Sequence, residues 1–295
     1  MRMLPFPLLL ALSLATILAD GVQAVDPPYS MPAADPMYPT PPWTYRDCSM
    51  LQISFRSDPD VVARMVPAPL VPNPDGVMVV WLADMKVVEP FKLTYLEHGL
   101  AVPSQLNGKP VLYCTHLYLN DDTAIAAGRE IWGWPKKHAA MTYTRDGGSV
   151  VTATTRRGVE IVRGTFQATA DAPIADVARH YVNYKLIPSA NGTPTPDVQQ
   201  LTSSTLLRTT RVRKNGTATL QFRSSPADAL GQITVNQILT AEYSEFDFTL
   251  SSGEVMYDYL QQSGVQSPEA TTTGRKLSQA RTVSLSPKTG HSTSS

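Results

Sequence analysis

The chain has 295 residues and carries 25 lysines and arginines against 25 aspartates and glutamates, a formal net charge of zero. Neutrality argues against a protein that works by blanketing nucleic-acid phosphates, which requires a basic surplus or patch. The length suffices for one large domain or two small ones around a substantial core.

Residues 1–24 read as a secretory signal peptide. Arg2 supplies the positive start, residues 8–19 the apolar run, and Val22-Gln23-Ala24 a small-residue cleavage site. The apolar run is about a dozen residues, short of the ~20 that a spanning helix needs. A secreted or lumenal protein with no membrane span is therefore expected. Residues 25–42 form a Pro-rich leader, with Pro27, Pro28, Pro32, Pro36, Pro39, Pro41 and Pro42. Such a segment is either draped over the domain or disordered, and does not fold alone.

Residues 50–56 alternate apolar and polar side chains and predict a strand. Asp58-Pro59 predicts a short helix, with Asp58 as cap, proline at the first helical position and Pro67 beyond its end. The nearly continuous apolar run 76–85 predicts a buried strand, and the alternation over 111–119 another. Asp121-Asp122-Thr123 predicts the cap of a short helix that Gly128 ends. Residues 150–155 and 160–169 predict a hairpin around Arg156-Arg157-Gly158. Ile174, Val177, Ala178 and Tyr181 fall on one helical stripe, so residues 171–184 predict an amphipathic helix packed on the sheet. Strands follow at 206–213, 218–223 and 244–250. Residues 263–295, rich in serine and threonine, predict a disordered tail. Many short strands with few helices indicate an α+β, mainly antiparallel sheet or barrel.

Asn191-Gly192-Thr193 and Asn215-Gly216-Thr217 read as N-glycosylation acceptors in turns. Cys48 and Cys114 have two readings, a pair formed in an oxidising compartment or two buried thiols. The five histidines show no ligand spacing, so no metal is expected.

The most unusual stretch is 128–138, where Lys136 and Lys137 follow a nearly uncharged turn carrying Trp132 and Trp134. A lysine held among apolar rings loses hydration of its ammonium, and its pKa falls. The free amine is then a nucleophile towards ketones. The competing reading is a surface loop kinked by Pro135 with both lysines in water.

The run 118–137, YLNDDTAIAAGREIWGWPKK, resembles the signature segment of the acetoacetate decarboxylase family. Residues 56–60 with Val66-Pro67, 95–103, 185–188 and 253–260 are similar to further family markers in the same order, so the resemblance spans residues 43–262. It implies a large β-barrel with a cone-like cavity decorated by short helices. It also implies that Lys136 forms a Schiff base with a β-keto acid, beside Lys137, with no organic cofactor or metal. Glu97 matches a functional glutamate, able to move protons in a dry pocket. Arg46 is expected to grip the substrate carboxylate, with Trp132, Trp134 and Leu82 around it. A second family glutamate has no counterpart, because its place reads Trp81 or Leu82, and Asp84 is a poor positional match. That loss predicts a more apolar pocket and a longer chain than acetoacetate, of polyketide or lipid origin. The expected partner is this small molecule, within a homo-oligomer. Two alternatives share the fold: a Schiff-base aldolase or dehydratase, and a non-catalytic secreted binding barrel.

Overall fold

A computed structural model describes residues 29–262. The expected signal peptide, the first leader residues and the tail at 263–295 lie outside the described residues. Thirteen strands build one sheet. They are β1 (Trp43–Arg56), β2 (Val71–Pro72), β3 (Val77–Glu89), β4 (Leu93–Leu106), β5 (Lys109–Leu119), β6 (Lys136–His138), β7 (Ala140–Asp146), β8 (Ser149–Arg156), β9 (Val159–Asp171), β10 (Val177–Ile187), β11 (Val198–Phe222), β12 (Gln237–Leu250) and β13 (Glu254–Asp258). Three short helices decorate it: α1 (Pro59–Arg64), α2 (Asp122–Glu130) and α3 (Tyr259–Gln262).

The sheet is mostly antiparallel, as expected. Seven strands, in the order β10, β5, β4, β3, β1, β12, β11, curl until β11 meets β10 again. The seam between β5 and β10 is parallel and only two register pairs long, Tyr181↔Leu112 and Val182↔Tyr113. The cone is thus a curled sheet with a short seam, and not a uniformly laced closed barrel. The long β11 links this cone to a second leaf, pairing in turn with β10, β12 and β9.

Strand alternation divides the core in two. On β1, Met50 faces the inside of the cone, whereas Leu51, Ile53 and Phe55 face the second leaf and pack with Ile161, Val162 and Phe166 of β9. Local chemistry forms the turns as predicted. Asp58 caps α1, its carboxylate accepting from the Asp60 and Val61 amides. Arg157 and Gly158, with φ of 52° and 78°, make the left-handed turn that joins β8 to β9.

Three sequence readings are corrected. Residues 171–184 are not a helix, since β10 occupies 177–187 and pairs along its length with β11. The stripe of four residues was a coincidence of spacing, for Ile174 is 61% exposed, and the valines, tyrosines and histidine of β10 favour a pleated surface. Gly128 lies inside α2, which continues to Glu130. Asn215 is not in a turn. It lies within β11, at the point where pairing with β9 shifts register. There a Cβ on Gly216 would stand 2.1 Å from the Gln167 carbonyl oxygen, so only glycine passes. Asn191 does sit in an exposed turn, its Oδ1 accepting from the Thr193 amide at 3.0 Å.

The leader residues from 29 onward lie against the domain. Tyr38 is buried and donates its hydroxyl to Glu130 at the end of α2, and the Trp43 indole donates to the Pro39 carbonyl at 3.2 Å.

Candidate active site

Lys136 is placed by the turn that precedes it. Asp121 caps α2, its Oδ1 accepting from the Ala124 amide at 2.7 Å. The chain then reverses through Gly133, whose φ of 69° suits glycine. The Trp134 amide bonds back to the Gly128 carbonyl at 2.9 Å. Pro135 ends the turn, and β6 pairs in parallel with β5 so that Lys136 lies opposite Leu117 and Lys137 opposite Tyr118. Alternation sends the two lysines to opposite faces.

The Lys136 side chain points into the cone. A Cβ on Gly128 would lie 2.3 Å from its Cδ, so the glycine is what lets the butyl chain lie against α2. Its Nζ donates to the Ala124 carbonyl at 3.1 Å, stands 3.7 Å from Glu97 Oε2, and lies 5.6 Å from the centre of the Tyr95 ring. Burial pushes the Lys136 pKa down, and the charge of Glu97 pulls it part of the way back. Glu97 is buried as well, and its other oxygen accepts from the Trp81 indole at 2.9 Å. Trp81 thus occupies the space where a second carboxylate was expected. Its ring lies flat on Gly99, where a Cβ would come within 2.0 Å of it.

The cavity is about 40 Å3, and its wall is mainly aromatic, including Trp81, Tyr95, Trp132, Trp134, Tyr181 and Phe246. Arg208 of β11 also lines it. Only 6% exposed, its guanidinium stacks over the Phe246 ring at 4.7 Å and donates to Met50 Sδ at 3.4 Å. Among the described residues Arg208 has no carboxylate partner, and its Nε is buried without a hydrogen bond. A buried cation left without a counter-ion is costly unless a ligand supplies one.

The structure therefore brings together Lys136, Glu97, Trp132 and Trp134 of the expected site, and separates three others. Arg46 is exposed at the irregularity between Tyr45 and Cys48, where among the described residues its side chain bonds the adjacent Tyr45 carbonyl at 3.2 Å and nothing else. The guanidinium of the site is that of Arg208, contributed by a different strand. Leu82 has the opposite parity to Trp81 and is fully buried in the core between the leaves. Asp84 shares Leu82's parity and pairs with Lys86 at 3.5 Å. Lys137 lies across the strand, with its ammonium 2.8 Å from Asp228 Oδ1. Asp228 also accepts from Tyr118 at 3.0 Å, Arg156 at 2.6 Å and Ser225 at 3.1 Å. Cys48 and Cys114 are two buried free thiols, and burial pushes Cys48 up to about 12.

One cavity thus holds a buried amine, a buried carboxylate and a guanidinium that has no carboxylate partner among the described residues. Comparison with known proteins agrees. The family model described as acetoacetate decarboxylase matches residues 26–260, and the chain belongs to that family of carboxy-lyases. An acetoacetate decarboxylase of Burkholderia lata is 29% identical over 246 residues, covering 79% of this chain and 96% of its own. A solved acetoacetate decarboxylase structure superposes with a TM-score of 0.72 at 24% identity, over 79% of this chain and 96% of that one. The enduracididine biosynthesis enzyme MppR, solved with the condensation product of pyruvate and imidazole 4-carboxaldehyde, superposes with a TM-score of 0.69 at 18% identity, over 78% of this chain and 97% of that one. Likeness at these two identities shows the shared fold.

Proposed function

We propose that this protein decarboxylates a β-keto acid through a Schiff base on Lys136. The observation that carries the reading is the pairing, in one dry cavity, of a buried amine with a buried guanidinium that lacks a counter-ion. Arg208 grips the substrate carboxylate. The Lys136 amine attacks the ketone carbon, water leaves, and a protonated imine forms. The bond to the carboxyl carbon breaks, its electron pair passes into the imine to give an enamine, and carbon dioxide departs. Glu97, within reach of the lysine nitrogen, relays the proton that the enamine carbon takes up. Water then hydrolyses the imine, releasing the ketone and restoring the amine.

The expected long apolar tail finds no support in this cavity. Its 40 Å3 is well below the ~150 Å3 of a dry pocket that admits benzene, and Trp81 fills the room that the missing carboxylate would have left. The cavity as it stands leaves no room for such a tail beside Lys136. The MppR fold keeps aldol or dehydration chemistry as the second reading, separated by whether carbon dioxide is released. We also propose passage through the secretory route, supported by the leading apolar run and by the exposure of both Asn191 and Asn215.

The test is borohydride reduction in the presence of acetone or acetoacetate, followed by peptide mapping. An adduct on Lys136, with carbon dioxide evolved from acetoacetate, is the expected result. An adduct elsewhere, or none, overturns the proposal.

A further inference from the structure

The inner face of the cone does not stop at the small cavity. Alternation carries it one step further along each strand, from Met50 to Gln52 and Ser54 on β1, from Trp81 back to Val79 on β3, and from Tyr181 back to Arg179 on β10. These residues line a second chamber of about 500 Å3. Two residues of strand advance about 6.6 Å, so along these strands the second chamber begins one step beyond Trp81 and Tyr181, which line the first and whose rings lie 5.4 Å apart.

The second chamber differs in chemistry from the first. Gln52, Ser54, Asn73 and Gln105 all line it, and among the described residues none of their side chains makes a hydrogen bond. Arg179 is half-buried in the same wall. Its one recorded bond is to the carbonyl of the adjacent Ala178, at 3.3 Å. The charged groups that act on it are Arg208, Arg213 and Glu242. Glu242 is already bound by Arg213 at 2.7 Å. Arg179 is thus the guanidinium that lines this chamber, and among the described residues it has no carboxylate partner.

Trp81 and Tyr181 lie between the two chambers. Trp81 is tied to Glu97 and lies on Gly99. The Tyr181 ring is buried against Trp81 and Trp134, at 5.4 Å and 5.1 Å, and its hydroxyl makes no hydrogen bond among the described residues.

We propose that the second chamber binds the distal end of the substrate, and that this end is a second acidic group on a polar chain of several carbons. Resting on the Schiff-base reading, the inference names the substrate class as a β-keto diacid. Arg179 is its specificity-determining residue, and the chain runs past Tyr181 between its two ends. The reacting carboxylate meets Arg208, the ketone meets Lys136, and the far carboxylate meets Arg179 with amide donors from Gln52 and Gln105.

The experiment uses methyl ketones as stand-ins for the product. Levulinate and homologues longer by one to four methylenes are compared with neutral methyl ketones of equal length, as rates of borohydride trapping on Lys136. At the best length the keto acid should react about tenfold faster than its neutral counterpart, the gain expected of one added charge pair. In Arg179→Gln that ratio should fall towards one, and in Arg179→Lys part of it should return. A ratio near one at every length in the native protein, or a ratio that Arg179→Gln leaves intact, overturns the inference. Binding of the same compounds, followed by tryptophan fluorescence, separates the two levels of argument. If no ketone is trapped but keto acids still bind with Arg179 dependence, the Schiff-base reading fails and the second chamber stands. If binding shows no Arg179 dependence either, both fail.

Discussion

Lys136 and Lys137 are adjacent in the chain and opposite in environment. Lys136 is 8% exposed among rings, has only one carboxylate at 3.7 Å, and has its pKa pushed down by burial. Lys137 has a side chain 41% exposed and a tight ion pair at 2.8 Å with a carboxylate that three further groups hold. One peptide step therefore separates an amine that burial pushes towards its neutral form from an ammonium held in an ion pair with Asp228. The pleat places the neighbouring charge on the other side of the strand, which leaves burial as the cause that lowers the Lys136 pKa.

The largest effect should come from exchanging each lysine for arginine. A guanidinium stays protonated at any working pH and cannot form the imine. Lys136→Arg should lower kcat by about 1000-fold or more, equivalent to roughly 4 kcal/mol, while Lys137→Arg should cost only a few fold because Asp228 keeps a cationic partner. Steady-state release of carbon dioxide reads both. Equal losses in the two variants would break the contrast.

Acid should attack the Lys137 side of the strand. His98 and His116 both lie there, against Tyr118. Burial holds His98 down to about 3 and His116 down to about 4. The ordinary histidine value is about 6.5, so below it the unfolded chain binds protons that the folded chain refuses. Stability should then be full above about pH 6.5 and fall as pH drops towards 4, by on the order of 1.4 kcal/mol per pH unit for each histidine. Urea midpoints at successive pH values measure this. His98→Phe, which keeps a flat ring on Tyr118, should remove about half the slope. Midpoints that stay level from pH 7 to about 4 would contradict it.

Asp228→Asn should come next. Buried, it holds Lys137, Arg156, Tyr118 and Ser225 at once. Burial alone would raise its pKa, but the hydrogen bonds from Lys137 and Tyr118 bring it down to about 2. Removing the charge strands two cations and should cost about 3 kcal/mol in chemical denaturation. A loss below about 1 kcal/mol, the usual range of an exposed pair, would show that Lys137 is simply solvated.

Much of this arrangement was legible in the chain, and the gaps have physical causes. Lys136 and Glu97 were readable because each sits in an ungapped local motif, and Asp58 and Asp121 because capping is local chemistry. Arg208 was missed because its partners are remote, Met50 lying 158 positions away. No alternation marks it in the chain, because Leu206 and Leu207 are both apolar; the parity that buries Leu206, Arg208 and Thr210 and exposes Leu207, Thr209 and Arg211 appears only in the fold. Arg46 was chosen for its place near β1's start, but the irregularity between Tyr45 and Cys48 turns it outward, and such bulges leave little trace in sequence. The stripe in 171–184 failed for another reason. Spacing alone does not tell a helix from a strand when Pro173 stands inside the window and β-branched and aromatic residues follow.

The finest test of the contrast is the pH dependence of Schiff-base formation. Only the unprotonated Lys136 amine attacks a ketone, so trapping falls as pH drops through its pKa. Burial lowers that pKa, and the charge and hydrogen bond of Glu97 raise it again. Glu97→Gln keeps the shape and removes the charge, so the midpoint of trapping should move to lower pH even as turnover is lost with the proton relay. Lys137→Gln removes a charge too, but one that the strand holds on the far side, tied to Asp228. Its midpoint should stay where the native protein has it. Borohydride trapping with acetone across a pH series reads both variants on one scale. If Lys137→Gln moves the midpoint upward, the neighbouring ammonium helps to free the amine after all, and burial is not sufficient. If Glu97→Gln leaves it in place, the carboxylate at 3.7 Å is not coupled to the lysine, and the proton that the enamine takes up must come from another group.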